Sequence, residues 1–383
     1  MNGSVRRALL FFVALVAIGA LLYGARDSIS LKGFSWQSLG EAVRHARIGL
    51  LLLAMAAIYA CYWIRAVRWV RFCRYLGPAS IWTVYQATLM GFVAIVLLGR
   101  PGEPVRPLLI AKRENLPITG MFGIYVVERI FDIAVTVLVA GASLIYLPEL
   151  LRRTAEANPS STASSMLPAL QHGGFLLFAG LLAAILFLVY LRVTDGGALA
   201  RAAARWRDQG GWRTKAAGMV SGFLQGLQAI RTWGDLAAAV GLTAVHWVFI
   251  VLIYQWIMAS FGGKLAALSI RDAMLVLACA MLGSLLQLPV VGGGAQVGSF
   301  LALTVFLNVD QSAAIVAAAT LWLVTFASCT IVGIPLLLRE GMSIGELRRI
   351  ATERAPATAG AAPGTAGAGA APAPAGGAKG MPR

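Results

Sequence analysis

The sequence predicts an all-α polytopic integral membrane protein of six full crossings plus two re-entrant hairpins, and three observations predict it. Of 383 residues, 59% are hydrophobic and 13% charged, with mean hydropathy +0.77, which excludes a water-soluble globular fold. Apolar runs of about 20 residues, the length a bilayer crossing needs, recur along the chain. The basic loops share one side of the membrane only if two of those runs turn back instead of crossing.

Taken in order, the first run is Ala8–Tyr23. Arg6 and Arg7 precede it and no small-x-small cleavage site follows before Arg26, so a retained signal anchor is expected. Further crossings are expected at Ile48–Ile64, Phe122–Leu147, Gly174–Leu191, Leu236–Phe261 and Ala313–Leu338. Arg65–Leu76 carries four arginines and no acid, and Arg192–Asp235 carries seven basic residues against three acids, so both belong on the cytoplasmic side. Pro148–Gly173, with two basic and two acidic residues, is assigned outside.

If Ile81–Leu98 crossed in the ordinary way, the two basic stretches would lie on opposite sides. The conflict is removed if Ile81–Lys112 enters from the cytoplasm, turns at Gly99–Pro104 and returns, while Ala273–Leu307, whose apolar run is Ala273–Val291, enters from outside and turns at Pro289–Gly294. Pro and Gly at each apex would break a helix there in any case. The other reading keeps eight full crossings and breaks the charge rule once.

With hairpins, residues 1–150 and 170–340 become two repeats of three crossings each, and an odd number inserts the second upside down. Amphipathic elbows at Trp36–Ala46 and Met219–Ile230 support the pairing. The membrane domain then fills residues 1–350, both termini are cytoplasmic at the cell (inner) membrane, and residues 355–383 form a disordered Ala/Gly/Pro-rich tail.

Three clusters and one pair of residues are candidates for function. Arg100, Glu103 and Arg106 sit in the first apex, where buried charge is costly and must face protein or water; the two guanidiniums can clamp a phosphate while Glu103 orients one of them. An ordinary polar surface loop is the plain alternative. Glu128 and Asp132 share a helix face, with Arg129 within reach of Asp132; they hold a coupling cation, neutralise the hairpin arginines, or simply pair two helices. At the second apex Gly292, Gly293 and Gly294 let backbone approach a ligand, and Gln287 and Gln296 add neutral hydrogen-bonding groups. Arg65 and Arg68 close the second crossing, where anchoring to lipid headgroups is the default and a substrate entrance the sharper reading.

Other chemistries find little support. His45, His172 and His246 are scattered, Cys61, Cys73, Cys279 and Cys329 form no cluster, and no HExxH, GxSxG or Walker loop is present, so no metal, no cofactor and no enzyme activity are expected. The net charge of +16 suits cytoplasmic loops and anionic headgroups, not nucleic acid.

On the arginines from Arg65 to Arg74, the GRPGEPVRP segment at Gly99–Pro107, Glu128-Arg129-x-x-Asp132 and the Pro289…Gly-Gly-Gly turn, the chain resembles the flippase-like family related to the transmembrane region of lysylphosphatidylglycerol synthases, over residues ~8–340. The resemblance implies a membrane domain that translocates aminoacylated phospholipids or handles polyprenyl-linked and other amphiphiles. It does not carry aminoacyl transfer, which in the two-domain synthases belongs to a soluble C-terminal domain; here a short tail follows Leu338. Many relatives place a glutamate after the glycine turn, where Gln296 is the nearest polar residue in this chain, so no acidic role carries over.

The leading expectation is therefore translocation of a phospholipid, polyprenyl-linked lipid or similar amphiphile. The alternatives are a polyprenyl-phosphate-dependent glycosyltransferase with Glu103 or Asp132 as base, and a non-transporting partner of a lipid synthase. The expected partners are an anionic or lipid-linked substrate and membrane lipids; a homo-oligomer and a lipid-biosynthesis partner are both compatible.

Overall fold

A computed structural model of the chain describes residues 46–157, 197–207, 232–284 and 292–340, with a few isolated positions between them. The crossings expected at Ala8–Tyr23 and Gly174–Leu191, the two elbows and the tail lie outside the described residues, save for isolated positions. The described part is helical but for one two-residue β pair. In chain order the helices are α1 (Ile48–Cys73), α2 (Ile81–Leu98), α3 (Val105–Arg113), α4 (Ile118–Ala157), α5 (Gly197–Trp206), α6 (Trp233–Ser260), the single turn α7 (Gly263–Ala266), α8 (Ile270–Gly283), α9 (Gly294–Leu301), α10 (Gln311–Trp322) and α11 (Cys329–Arg339). A π-helical stretch extends α9 through Phe306, and another joins α10 to α11.

Among the described residues, four helical stretches are long and apolar enough to cross a membrane: α1, α2, α6 and the continuous Gln311–Arg339. Exposed Leu52, Ile133, Val248, Ile331 and Leu338 point away from the bundle. In water such side chains would be a liability; in a bilayer they are the lipid-facing surface. This is a multi-pass membrane protein.

The centre of the bundle is the antiparallel pair α1 and α6. At one end the Arg47 amide donates to the Ser260 carbonyl at 2.7 Å. At the other the Tyr75 hydroxyl donates to Asp235 at 2.6 Å, and Arg74 pairs with the same carboxylate at 3.7 Å. Asp235 also closes a capping box with Thr232, giving α6 a sharp start. Between the ends, Ala54, Ala57, Cys61 and Ala66 are buried on α1. Cys61, Cys73 and Cys329 are free and buried, and pack there as small apolar side chains.

Both hairpins are present as chain reversals, and they enter from opposite ends of the bundle. After α2 the chain turns through Gly99, at φ 70°, and a 3-10 turn, Arg100–Gly102. Gly102 lies so close to the Ala94 carbonyl that a Cβ has no room. Helix α3 then runs back until Leu116 packs on Gly77, so entry and exit are neighbours beside the end of α1. Helix α2 is itself long enough to cross; the reversal is decided by where α3 returns.

The second hairpin begins at the other end, where a Ser269/Asp272 capping box opens α8 and Lys264 Nζ donates to the Asn308 carbonyl at 2.5 Å. Its legs, α8 and the 294–306 segment, span ~20 Å each at a rise of ~1.5 Å per residue, short of the ~30 Å hydrocarbon core. They approach closely because Gly283 meets the Gly294 backbone and Gly298 meets the Cys279 carbonyl. The reversal is wider than the Pro289–Gly294 turn expected from sequence. The helix already ends at Gly283, and Gln287–Leu288 pair with Gly292–Gly293 as a two-residue antiparallel ladder. The two tips meet: Arg100 Nη2 donates to the Ser284 carbonyl at 3.5 Å.

These contacts predict a graded response to glycine substitution. Gly298→Val and Gly283→Val should each cost about 1–3 kcal/mol through forced backbone shifts. Gly141→Ala and Gly241→Ala, where a Cβ meets nothing within 4 Å, should be neutral or slightly stabilising. Thermal melting of the detergent-purified variants checks this ordering.

Candidate functional site: a buried arginine–carboxylate network beside a cavity

The site is assembled from one face each of α1, α3, α4 and α6. Arg65 and Arg68 fall three residues apart on α1, and Glu128 and Asp132 four apart on α4, so each pair presents two groups to the same neighbour. Helix α1 continues through Cys73, so both arginines lie inside it rather than at its end. This corrects the expectation of headgroup anchoring: Arg68 is 1% exposed.

Glu128, fully buried, is the hub. Its Oε1 accepts from Arg68 Nη2 at 2.7 Å and from Arg65 Nη1 at 3.1 Å, and its Oε2 pairs with Arg106 of α3. Asp132 receives Arg65 and Arg68 at 3.4 Å each, and Arg129 of its own helix at 3.3 Å. Arg68 Nη1 donates to Thr243 on α6 at 2.6 Å, and Arg65 Nε donates to His246 Nε2 at 3.3 Å. The guanidinium planes lie over aromatic rings: Arg106 over Trp69 at 4.4 Å, Arg129 over Tyr125 at 5.2 Å and Arg65 over Phe92 at 5.5 Å.

With Glu103 beside them, four arginines, of which Arg129 is 38% exposed, thus face three carboxylates, an excess of one positive charge. Burying charge is tolerable only when partners compensate it, and here compensation is incomplete. Beside the network lies a cavity of ≈ 180 Å³ bounded by α1, α2, α6, the two legs of the second hairpin and the π stretch of α10–α11. Its walls are mostly apolar, among them Ile58, Tyr254, Leu277 and Phe326, and Arg65 and His246 form its charged and polar corner.

The sequence-predicted residues divide into three groups. Arg65, Arg68, Arg106, Glu128, Arg129 and Asp132 share one network. Glu103 accepts from the Tyr125 hydroxyl and lines a small pocket with Arg106 and Arg129 next to the network, while Arg100 stays exposed at the tip contact. Gln287 and Gly292–Gly293 serve backbone pairing at the second tip, Gly294 opens α9, and Gln296 is half-buried in its first turn. Sequence reasoning missed Thr243, His246 and Trp247. Their signal was available: polar residues at i and i+3 on one face of an otherwise apolar helix.

The sequence model described as "Lysylphosphatidylglycerol synthase TM region" matches residues 8–333. The chain belongs to this family. Curated proteins and solved structures give no match. The span of the synthase transmembrane-region match takes in both hairpins and every residue of the arginine network.

The network predicts that Glu128→Gln, which leaves three buried arginines short of a carboxylate, costs about 3–5 kcal/mol. Arg129→Gln removes a guanidinium that is 38% exposed and should cost no more than about 1 kcal/mol. Chemical or thermal unfolding in detergent separates the two.

Proposed function

We propose that this protein carries an anionic or lipid-linked amphiphile between the two leaflets of the cell membrane. The observation that carries the reading is the Arg65 guanidinium, backed by the positively charged network, at one corner of an otherwise apolar cavity beside two hairpins that enter from opposite ends. An amphiphile has matching parts: a charged headgroup for the arginine corner and tails for the apolar walls and the lipid beyond. Family membership supports a role in lipid modification or transport.

Helix contacts support the inverted repeat that alternating access needs. Helices α1 and α6 pack on each other, α2 packs on α11, and α8 packs on α4. Exchanging the first-half helices α1, α2 and α4 for α6, α8 and α10–α11 reproduces that set of contacts. Orientation follows from charge: Arg71, Arg74, Lys112, Arg113 and Arg339 gather at one end of the described bundle, which is assigned to the cytoplasm.

Reconstituted in vesicles with a fluorescent short-chain phosphatidylglycerol, the protein should expose the inner-leaflet probe to a membrane-impermeant quencher. Arg65→Gln should slow this at least tenfold and stay folded, because Glu128 and Asp132 retain Arg68, Arg106 and Arg129. Quenching no faster than in protein-free vesicles would remove the transport reading.

A further inference from the structure

The described interior has a surplus of hydrogen-bond donors, and the surplus identifies what the cavity takes. Seven buried side-chain nitrogen and oxygen atoms have no protein partner among the described residues. Six are nitrogens, on Arg68, Trp69, Arg106, Arg129, His246 and Trp247; only Gln255 Oε1 is an acceptor. Buried polar groups in folded proteins are satisfied almost without exception, so a cluster of orphans of one kind marks a missing complement.

Two of the orphans belong to residues of the cavity wall. His246, 4% exposed, and Trp247, 9% exposed, both line it, their rings edge to face at 5.8 Å. The protonation of His246 follows from its neighbour. Arg65 Nε–H donates to Nε2, which must therefore offer its lone pair, and the ring proton sits on Nδ1, the atom without a partner. Arg65, His246 and Trp247 thus line the cavity together, a guanidinium beside two rings whose neutral N–H groups have no protein partner.

We propose that Arg65, His246 and Trp247 form the recognition site for the phosphate of an anionic amphiphile, one whose headgroup offers acceptors and negative charge but no ammonium. The proposal rests on the transport reading for its biological setting, yet it concerns binding and can be tested apart from movement. A phosphate supplies acceptors for several donors at once and compensates the positive excess. An aminoacylated headgroup adds ammonium charge beside the Arg65 guanidinium, where the one charged group on the wall repels it, so the same chemistry disfavours it.

The test is binding to the full chain in detergent, followed by titration calorimetry with three probes: short-chain phosphatidylglycerol, its lysyl ester and glycerol phosphate. The lipid should bind at least tenfold more tightly than its lysyl ester, which carries the added charge, and than glycerol phosphate, which lacks the tails. His246→Phe and Trp247→Phe should each weaken lipid binding about tenfold, the scale of one lost hydrogen bond to a charged acceptor. Trp247→Phe keeps a ring in place and reports on the site even if His246→Phe does not fold.

Unchanged affinity in the folded variants would overturn the assignment, as would tighter binding of the lysyl ester. Equal affinity for glycerol phosphate would mean a free-phosphate site and overturn the lipid part. A protein that binds the lipid through His246 yet moves none keeps this site and loses the transport reading; one that moves lipid equally well as His246→Phe and Trp247→Phe does the reverse.

Discussion

The structure depends on one buried carboxylate. Glu128 sits ten residues into α4, ~15 Å from its start, where a lone charge would be intolerable, and it is paired with arginines from α1 and α3. Those three elements would otherwise be joined only by apolar packing, which in lipid gives little preference for protein over solvent. Ion pairs supply the preference, because a guanidinium on α1 or α3 has no comparable partner in the hydrocarbon. The first hairpin is thereby tied to the bundle at Arg106, and its tip is held where Arg100 can reach Ser284.

From that constraint the arrangement of the cavity follows. Small residues let the legs of each hairpin lie against each other, so the legs stay slender and leave space between the second hairpin and helices α1, α2 and α6. The space is apolar except where Arg65 and His246 reach it from the network. Structure and site are therefore one object: the arginines that pin the helices also set the charge of the cavity. Phe92 lies at the boundary, under the Arg65 guanidinium on one side and lining the small Glu103–Arg106 pocket on the other.

Much of this was legible in the sequence, and the failures have physical causes. Apolar runs placed α1, α6 and the α10–α11 rod because crossing length is set by the bilayer and not by tertiary detail. Conflict among basic loops pointed to chain reversals at two Pro/Gly clusters, and Gly99 and Gly102 marked one of them through backbone geometry alone. The end of α1 was misjudged because a charge counter stops at Arg65, whereas the helix continues through Cys73 with Arg68 buried. The pairing of Arg65 and Arg68 with Glu128 and Asp132 joins residues some 60 positions apart and depends on which helix faces which, which local pattern does not encode. The three histidines are far apart from one another, and His246 finds its partner in the Arg65 guanidinium, 181 positions away in the chain.

The central claim is that two hairpins enter from opposite faces of the membrane and meet over the buried network. Single-cysteine labelling in a background lacking the native cysteines tests it most directly, with exposed Asn115 after the first hairpin and exposed Lys264 before the second as probe sites. The account predicts that a membrane-impermeant thiol reagent reaches Asn115→Cys only from the cytoplasmic side and Lys264→Cys only from the other. Labelling of both positions from the same side would contradict it, because the tips could then not meet from opposite faces.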